Sequence, residues 1–236
     1  MAISLNDIYF IIVEPQTPGN IGSICRACTN MGIRNVVLVN PVDYLVDDTF
    51  RLGWGSEALI RSLRVVNTVD EITSEMAITA GTTQRKRENQ CPLFSPRELI
   101  SELDQLPTGT KIGILFGREN NGLSNEELLA CNYQTTIPSA VSYPAMNLSQ
   151  AVMVYGYELF QAANDTPSPY SWGLATKTDQ ERLYSLIGDS VETLPFKTRN
   201  GTAAFVNLFR RVLGRTRLEA RDVRVLYKLF GLIKRK

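Results

Sequence analysis

The chain has 236 residues, 44% of them hydrophobic and 21% charged, enough for one sizeable core with a small appendage. A formal net charge of +1 makes no overall demand for a polyanionic partner, and no apolar run approaches the roughly 18 to 20 residues of a membrane span. Histidine is absent, which excludes Ser-His-Asp and Cys-His catalysis, histidine metal sites and histidine base chemistry. Any reaction must then use Arg, Lys, carboxylates, hydroxyls or a bound cofactor. The segment from Met1 to Asn20 has neither a basic start nor a small-residue cleavage site. Cys25, Cys28, Cys91 and Cys131 are too few and too scattered for a disulfide framework. Together these point to a cytoplasmic protein.

In chain order, Asp7 to Val13 is a β-branched and aromatic run ended by Glu14-Pro15, the pattern of a buried strand. Gln16 to Asn20 predicts a turn. From Ile21 to Met31 apolar positions recur at helical spacing, with Gly32 as the C-terminal cap. Asn35 to Asn40 is a second strand, and strand, helix and strand in such quick succession form a βαβ unit with a parallel sheet. Pro41 to Gly55 reads as irregular, and Ser56 to Ser62 as a short helix. Leu63 to Asn67 is a strand, followed by a short helix that Thr68 caps with Glu71 at its third position. Met76 to Ala80 is a strand running into the polar, basic stretch Gly81 to Arg87. Ser95-Pro96-Arg97-Glu98 opens a helix to about Leu103. Lys111 to Phe116 is a strand, Ser124 opens a helix with Glu126 and Glu127 in its first turn, and Tyr133 to Ile137 is the last strand. Asn147 is a good N-cap for the apolar helix that follows.

Six strands alternating with helices predict an α/β fold, a parallel sheet with helices on both faces, in a domain spanning residues 1–163. Residues 164–176, rich in Pro, Ser and Gly, predict a linker. Residues 177–236 predict a helical basic extension of three helices. In the last, Leu218, Val223, Val225, Leu226, Leu229, Phe230 and Ile233 form one apolar stripe opposite a basic face. From Lys197 to Lys236 the only acids are Glu219 and Asp222. That excess of cations suits a phosphate backbone, and a solvated helix face accounts for it equally well.

In such sheets ligands bind beyond the carboxyl ends of the strands. Those ends carry Pro18-Gly19-Asn20, Thr82-Thr83, Gly117-Arg118-Glu119 and Pro138 onward. The first segment lets backbone amides at a helix start approach an anion, and it brings Asn20 and Arg26 within about two turns of each other. Arg26 stands in an otherwise apolar helix, where an arginine calls for an anionic partner or a solvent-facing position. The second segment puts charge on a glycine-bounded loop, where Arg118 and Glu119 either pair with each other or point at a ligand. The stretch from Ile137 to Gln150 is stiff and suits a preformed pocket. Cys25 and Cys28 lie inside a helix with no second pair, and read as small core residues.

The Asn-Ile-Gly-Ser-Ile-Cys-Arg segment, the Phe-Gly-Arg-Glu-x-x-Gly-Leu segment and the Ile-Pro to Met-Asn-Leu-Ser-Gln-Ala-Val segment resemble the three ordered motifs of the SPOUT RNA methyltransferases. Within that class the resemblance is to the TrmJ-type branch of the TrmH group, including its helical extension. It implies a C-terminal trefoil knot, rare among folds in general, and a homodimer with active sites at the subunit interface. S-adenosyl-L-methionine would lie in the knot against Thr82, Thr83, Gln84, Gly117, Ile137, Pro144, Ala145, Met146 and Asn147. The implied reaction is methyl transfer to a ribose 2′-hydroxyl of tRNA in the anticodon loop, at cytidine or uridine in position 32. Arg26 matches the catalytic arginine, as proton acceptor or as the group that orients hydroxyl and phosphate. Asn20, Arg118 and Glu119 match nucleotide-positioning residues, and Arg85 with its basic neighbours is the candidate for phosphate contact. Where bacterial members carry a serine this chain has Ala145, leaving Ser142 or Tyr143 to supply a hydroxyl. No metal is implied. The residues also leave open a non-catalytic RNA-binding knot protein, an rRNA 2′-O-methyltransferase, and a nucleotide-binding α/β protein acting on a small molecule.

Overall fold

The computed structural model describes residues 3–84, 93–140, 146–164, 173–194 and 201–235. The chain divides after Ser171 into two compact units.

The first unit is built on strands β1 (Ile8–Val13), β2 (Asn35–Val39), β3 (Arg64–Val66), β4 (Ile78–Thr82), β5 (Leu93–Phe94), β6 (Ile112–Phe116) and β7 (Tyr133–Thr135). All pair in parallel in the order β3-β2-β1-β6-β4-β7-β5. The sheet thus has seven strands where the sequence predicts six. Two residues at an edge carry no periodicity, and β5 is recognisable only through its pairing with β7.

Alternation along β1 assigns the two faces. Ile11 and Val13 join Val37, Val39 and Leu115 in a buried layer with Ile72 of helix α4 (Val69–Thr73) and Leu128 of helix α6 (Asn125–Leu129). Phe10 turns the other way and meets Phe116 edge-on at 5.1 Å, and Phe116 meets Tyr155 of helix α7 (Leu148–Ala163) at 5.5 Å. Helices therefore cover both faces, as the alternating sequence predicts. On the second face α7 packs against helix α1 (Pro18–Asn30) and helix α5 (Pro96–Leu103).

Two local expectations change. Helix α1 begins at Pro18 rather than Ile21, because proline's fixed φ and missing N–H suit the first helical position; Asn20 is therefore helical, not part of a preceding turn. The stretch expected to be irregular contains helix α2 (Asp47–Leu52), which is followed by helix α3 (Glu57–Arg61). Helix α2 sits so close to α1 that a Cβ on Gly22 would lie 2.1 Å from Thr49 O.

The second unit comprises helices α8 (Lys177–Glu192), α9 (Gly201–Leu213) and α10 (Ala220–Lys234), with its own core of Leu183, Tyr184, Ile187, Val191, Val223 and Phe230. Residues 173–175, placed in the linker by composition, are tied into it: Ala175 N–H bonds Leu218 O at 2.8 Å, and Ala220 N–H bonds Gly173 O at 3.0 Å. The predicted apolar stripe of α10 splits. Val223 and Phe230 are buried, whereas Val225 and Leu229 are 66% and 51% exposed. At about 100° per residue the latter two lie far around the helix from Val223, on the side that carries Arg221, Arg224 and Lys228. No helix among the described residues is long and apolar enough to cross a membrane.

Candidate active site

At the carboxyl ends of β4 and β6 a cavity of about 260 Å³ opens, and the chain after β7 closes its far side. Six residues expected at a cofactor site line it: Thr82, Thr83, Gln84, Gly117, Ile137 and Met146. Leu123, Leu148 and Tyr155 line it as well and were not assigned to a cofactor from the sequence; Leu148 and Tyr155 belong to an apolar run that reads as core, and Leu123 is a lone leucine after Gly122. Asn147 is not in the lining, and caps α7 by accepting from Ser149 N–H at 2.8 Å. Arg85, Ser142, Pro144 and Ala145 lie outside the described residues.

The cavity floor is held by main-chain and hydroxyl bonds. Thr82 Oγ1 donates to Leu115 O at 2.9 Å, pinning the end of β4 to β6, and Thr83 N–H donates to Thr135 O at 2.8 Å. Gly117 has no room for a side chain, since a Cβ would lie 2.0 Å from the carbonyl carbon of Gly122 and 2.1 Å from Leu123 N. The loop closes on itself through Gly122 N–H to Arg118 O at 2.9 Å, with Gly122 at φ +67. Tyr155 O–H pairs with Thr135 Oγ1 at 2.9 Å below the floor, and burial raises the phenol's pKa against that bond. The result is a slot with apolar walls from Leu123, Ile137, Met146 and Leu148 and a polar rim from Thr83 and Gln84. Such a donor set fits a flat heteroaromatic group with a polar edge. The volume falls just below the roughly 300–1,000 Å³ of small-molecule clefts.

Arg118 and Glu119 do not pair with each other. Arg118 Nε and Nη2 donate to Glu14 at 2.9 and 2.7 Å, Nη1 and Nη2 to Glu127 at 3.1 and 3.2 Å, and Nη1 to Gly122 O at 3.4 Å. These bonds use all five N–H donors of a guanidinium, so Arg118 holds the loop and has none left for a nucleotide. Its hydrogen bonds draw the Glu14 carboxyl below its ordinary value, against a raising effect of burial. Glu14 itself sits at φ 44, a conformation that costs a non-glycine residue energy and that this ion pair over-determines.

Glu119 turns to the start of α1. Its Oε2 accepts from Gln16 N–H at 2.9 Å, and its Oε1 from Thr17 N–H at 3.1 Å and Asn20 Nδ2 at 3.0 Å. A carboxylate at a helix N-terminus also complements the helix dipole. Burial pushes the Glu119 pKa up, and the bonds from Asn20, Gln16 and Thr17 more than offset it, leaving the carboxyl below its ordinary value. Asn20 Oδ1 in turn accepts from Asn147 Nδ2 at 3.0 Å. One polar chain therefore links the β6 loop, the first turn of α1 and the cap of α7.

Arg26 is exposed on α1, lines no part of the cavity, and has no hydrogen bond or ion pair among the described residues. Cys25 and Cys28 beside it are buried free thiols. Burial pushes the Cys25 pKa up to about 12 and that of Cys28 well above its ordinary value, so neither offers a thiolate near neutrality. Among the described residues no cluster of three metal-ligating side chains occurs.

A parallel sheet with a slot beyond its carboxyl ends, bordered by a glycine-bounded loop and the first turn of the following helix, is the architecture of the SPOUT methyltransferases. The chain belongs to the SpoU rRNA Methylase family, whose profile matches residues 7–157. It is 30% identical over 239 aligned residues to the tRNA (cytidine/uridine-2′-O-)-methyltransferase TrmJ of Salmonella typhimurium, with 97% of each chain covered. Among solved structures it resembles TrmJ from Z. mobilis ZM4, with TM-score 0.77, 24% identity, and 96% of this chain and 98% of that one covered. It shares the fold of the SpoU methyltransferase AviRb from Streptomyces viridochromogenes in complex with the cofactor AdoMet, with TM-score 0.52, 21% identity, and 64% and 58% covered.

Proposed function

We propose that this protein is an S-adenosylmethionine-dependent tRNA 2′-O-ribose methyltransferase acting on a cytidine or uridine of the anticodon loop, at position 32. The observation that carries the reading is the end-to-end likeness to TrmJ, which includes the helical unit as well as the sheet. When bound, S-adenosylmethionine supplies an electrophilic methyl group. Thr82, Thr83, Gln84, Gly117, Ile137 and Met146 would hold it, with Pro144 and Ala145 from the adjoining segment. Leu123, Ile137 and Leu148 exclude water from its flat part, and the Thr83–Gln84 rim offers donors and acceptors to its polar edge. Arg118 acts as a positioning residue, fixing the loop that Gly117 opens.

Arg26 stands ready for an anion. A guanidinium with pKa above about 12 is a poor base, so its work is to bind the phosphate beside the target ribose and orient the 2′-hydroxyl, whose proton is released to water as its oxygen takes the methyl group. Holding hydroxyl and methyl donor in line supplies most of what such a displacement requires. Because Arg26 does not line its own chain's cavity, the reading includes a homodimer in which a second copy brings this arginine to the slot. The exposed Tyr157 and Phe160 on α7, which packs on α1, support that assembly. It further includes a trefoil knot closed by α7, the basic face of α10 as a phosphate-backbone contact, and action in the cytoplasm.

Transfer of labelled methyl from S-adenosylmethionine to unmodified tRNA, with the product nucleotide mapped by mass spectrometry, tests the reading. A 2′-O-methyl pyrimidine in the anticodon loop is expected. No transfer, together with no calorimetric binding of S-adenosylmethionine at high micromolar concentration, would overturn it. Cofactor and tRNA binding without transfer would instead make the protein a non-catalytic scaffold.

A further inference from the structure

Trp54 is 74% exposed, more than any other large hydrophobic side chain among the described residues. The backbone that carries it is nevertheless fixed on both sides. Gly53 is wedged so that a Cβ would meet Ile60 Cδ1 at 2.6 Å, Thr49 O at 2.8 Å and Gly22 Cα at 3.1 Å. Gly53 N–H bonds Thr49 O at 2.8 Å, and Gly53 O accepts from Ser56 N–H at 2.9 Å and Ser56 Oγ at 2.6 Å. Gly55 adopts φ +82 and donates its N–H to Glu57 Oε1 at 3.1 Å. The turn between α2 and α3 is therefore built to hold its tip still. The indole at that tip makes no hydrogen bond or ring contact among the described residues, so it adds nothing visible to the core.

Its place is informative. Gly53 rests on Gly22, which lies one helical turn before Arg26 on the same face of α1. Leu52, the apolar neighbour, leans on Gly19, while Arg51, Glu57, Ala58 and Arg61 around the turn are exposed and mostly charged. A single rigid aromatic plane in wet surroundings, on a turn that rests one helical turn from an exposed arginine with no partner among the described residues, suits a nucleobase better than the apolar centre of a protein interface.

We propose that Trp54 is a stacking platform on which an unstacked base of the RNA loop rests while Arg26 holds the adjoining ribose-phosphate. This inference rests on the tRNA methyltransferase reading above and adds a substrate contact to it. Stacking tolerates any base, so Trp54 would capture the loop without choosing its sequence.

The chain has two tryptophans, so in a Trp172→Phe background the emission comes from Trp54 alone. Titration with unmodified tRNA should quench that emission. Trp54→Ala should raise KM for tRNA roughly 5- to 150-fold, the range of single base–aromatic stacks, with calorimetric affinity for S-adenosylmethionine unchanged and Trp54→Phe restoring most of the loss. If tRNA is methylated with unaltered KM by Trp54→Ala and leaves Trp54 emission unmoved, the platform is wrong while the enzymatic reading stands. If Trp54→Ala sediments as a smaller species than wild type, the indole is a subunit contact and the proposal fails. Absence of both tRNA binding and methyl transfer in wild type overturns the reading and the platform together.

Discussion

The cavity and the Arg26 surface are the two halves of the candidate site, and they are built in opposite ways. Around the cavity the charged groups are paired and the loop is close-packed: Arg118 has spent all its donors, Glu119 accepts three bonds, and Gly117 is packed too tightly for a methyl group. At Arg26 and Trp54 the side chains are exposed and have no partner among the described residues, although the backbone beneath them is equally well fixed. A saturated network is preorganised for a ligand that returns in the same pose each cycle. An unsaturated one belongs to groups completed by a macromolecule that arrives and leaves. Substitutions should accordingly divide into those that move stability and cofactor affinity together and those that move turnover or KM for tRNA while leaving both of these alone.

Gly117→Ala gives the sharpest break on the cavity side. Its Cβ meets backbone rather than a flexible side chain, so the β6 loop must open. Cofactor binding should be lost in calorimetry, and stability should fall by about 3 kcal/mol or more, at or beyond the usual overpacking range, by urea denaturation. Retained cofactor affinity would show that the loop is softer than its contacts imply. Arg26→Ala tests the other half. Methyl transfer should fall by roughly 100- to 1,000-fold, the usual effect of losing one preorganised donor, with cofactor affinity kept and stability within about 0.5 kcal/mol, as for an exposed residue without partners among the described residues. A stability loss equal to that of Gly117→Ala would abolish the distinction between the halves.

Arg118→Lys sharpens the comparison further. One ammonium cannot serve two carboxylates with the fork geometry that Glu14 and Glu127 share. The change should cost about 1–3 kcal/mol and weaken cofactor binding, measured by denaturation and calorimetry. Turnover at saturating cofactor should suffer less than in Arg26→Ala. If turnover collapses while cofactor affinity is untouched, Arg118 touches the nucleotide after all.

The same contrast explains what could be read from the chain. Strands β1, β2 and β6 are continuous apolar runs and announce themselves, whereas β5 is two residues long and α2 is a single short helix whose acidic start looks like a loop. Gly117 and Ile137 both line the cavity; their assignment to a cofactor came from the family resemblance, and the sequence itself marked only the strand ends beside them as places where a ligand would lie. The Arg118 clamp was not legible: Glu14 lies more than a hundred residues earlier and owes its position to strand β1 pairing beside β6. Adjacent Arg and Glu suggested a local pair, and the fold sent them to different partners. Trp54 was passed over because one tryptophan between glycines says nothing about exposure until Gly53 is seen wedged against Gly22.

The smallest expected effect concerns protons. Hydrogen bonds hold Glu14 and Glu119 below the ordinary glutamate value of 4.5 in the folded chain. A depressed carboxyl pKa means that the unfolded chain binds protons first on acidification. The stabilisation is therefore full above about pH 4.5 and is lost as pH falls through the lower folded values. Urea midpoints followed from neutral pH down to about pH 3 should show that decline. Glu119→Gln should start lower at neutral pH, on the order of 1 kcal/mol, because one amide nitrogen now faces main-chain donors at the start of α1. It should then lose less on acidification than wild type, since one linked proton has been removed. Arg26→Ala should follow the wild-type curve throughout, because no protein carboxylate depends on it among the described residues. If Glu119→Gln and wild type decline in parallel, the hydrogen-bonded chain from Asn147 through Asn20 to Glu119 is not tensioned by that carboxylate, and α1 is held by its packing on α2 and α7.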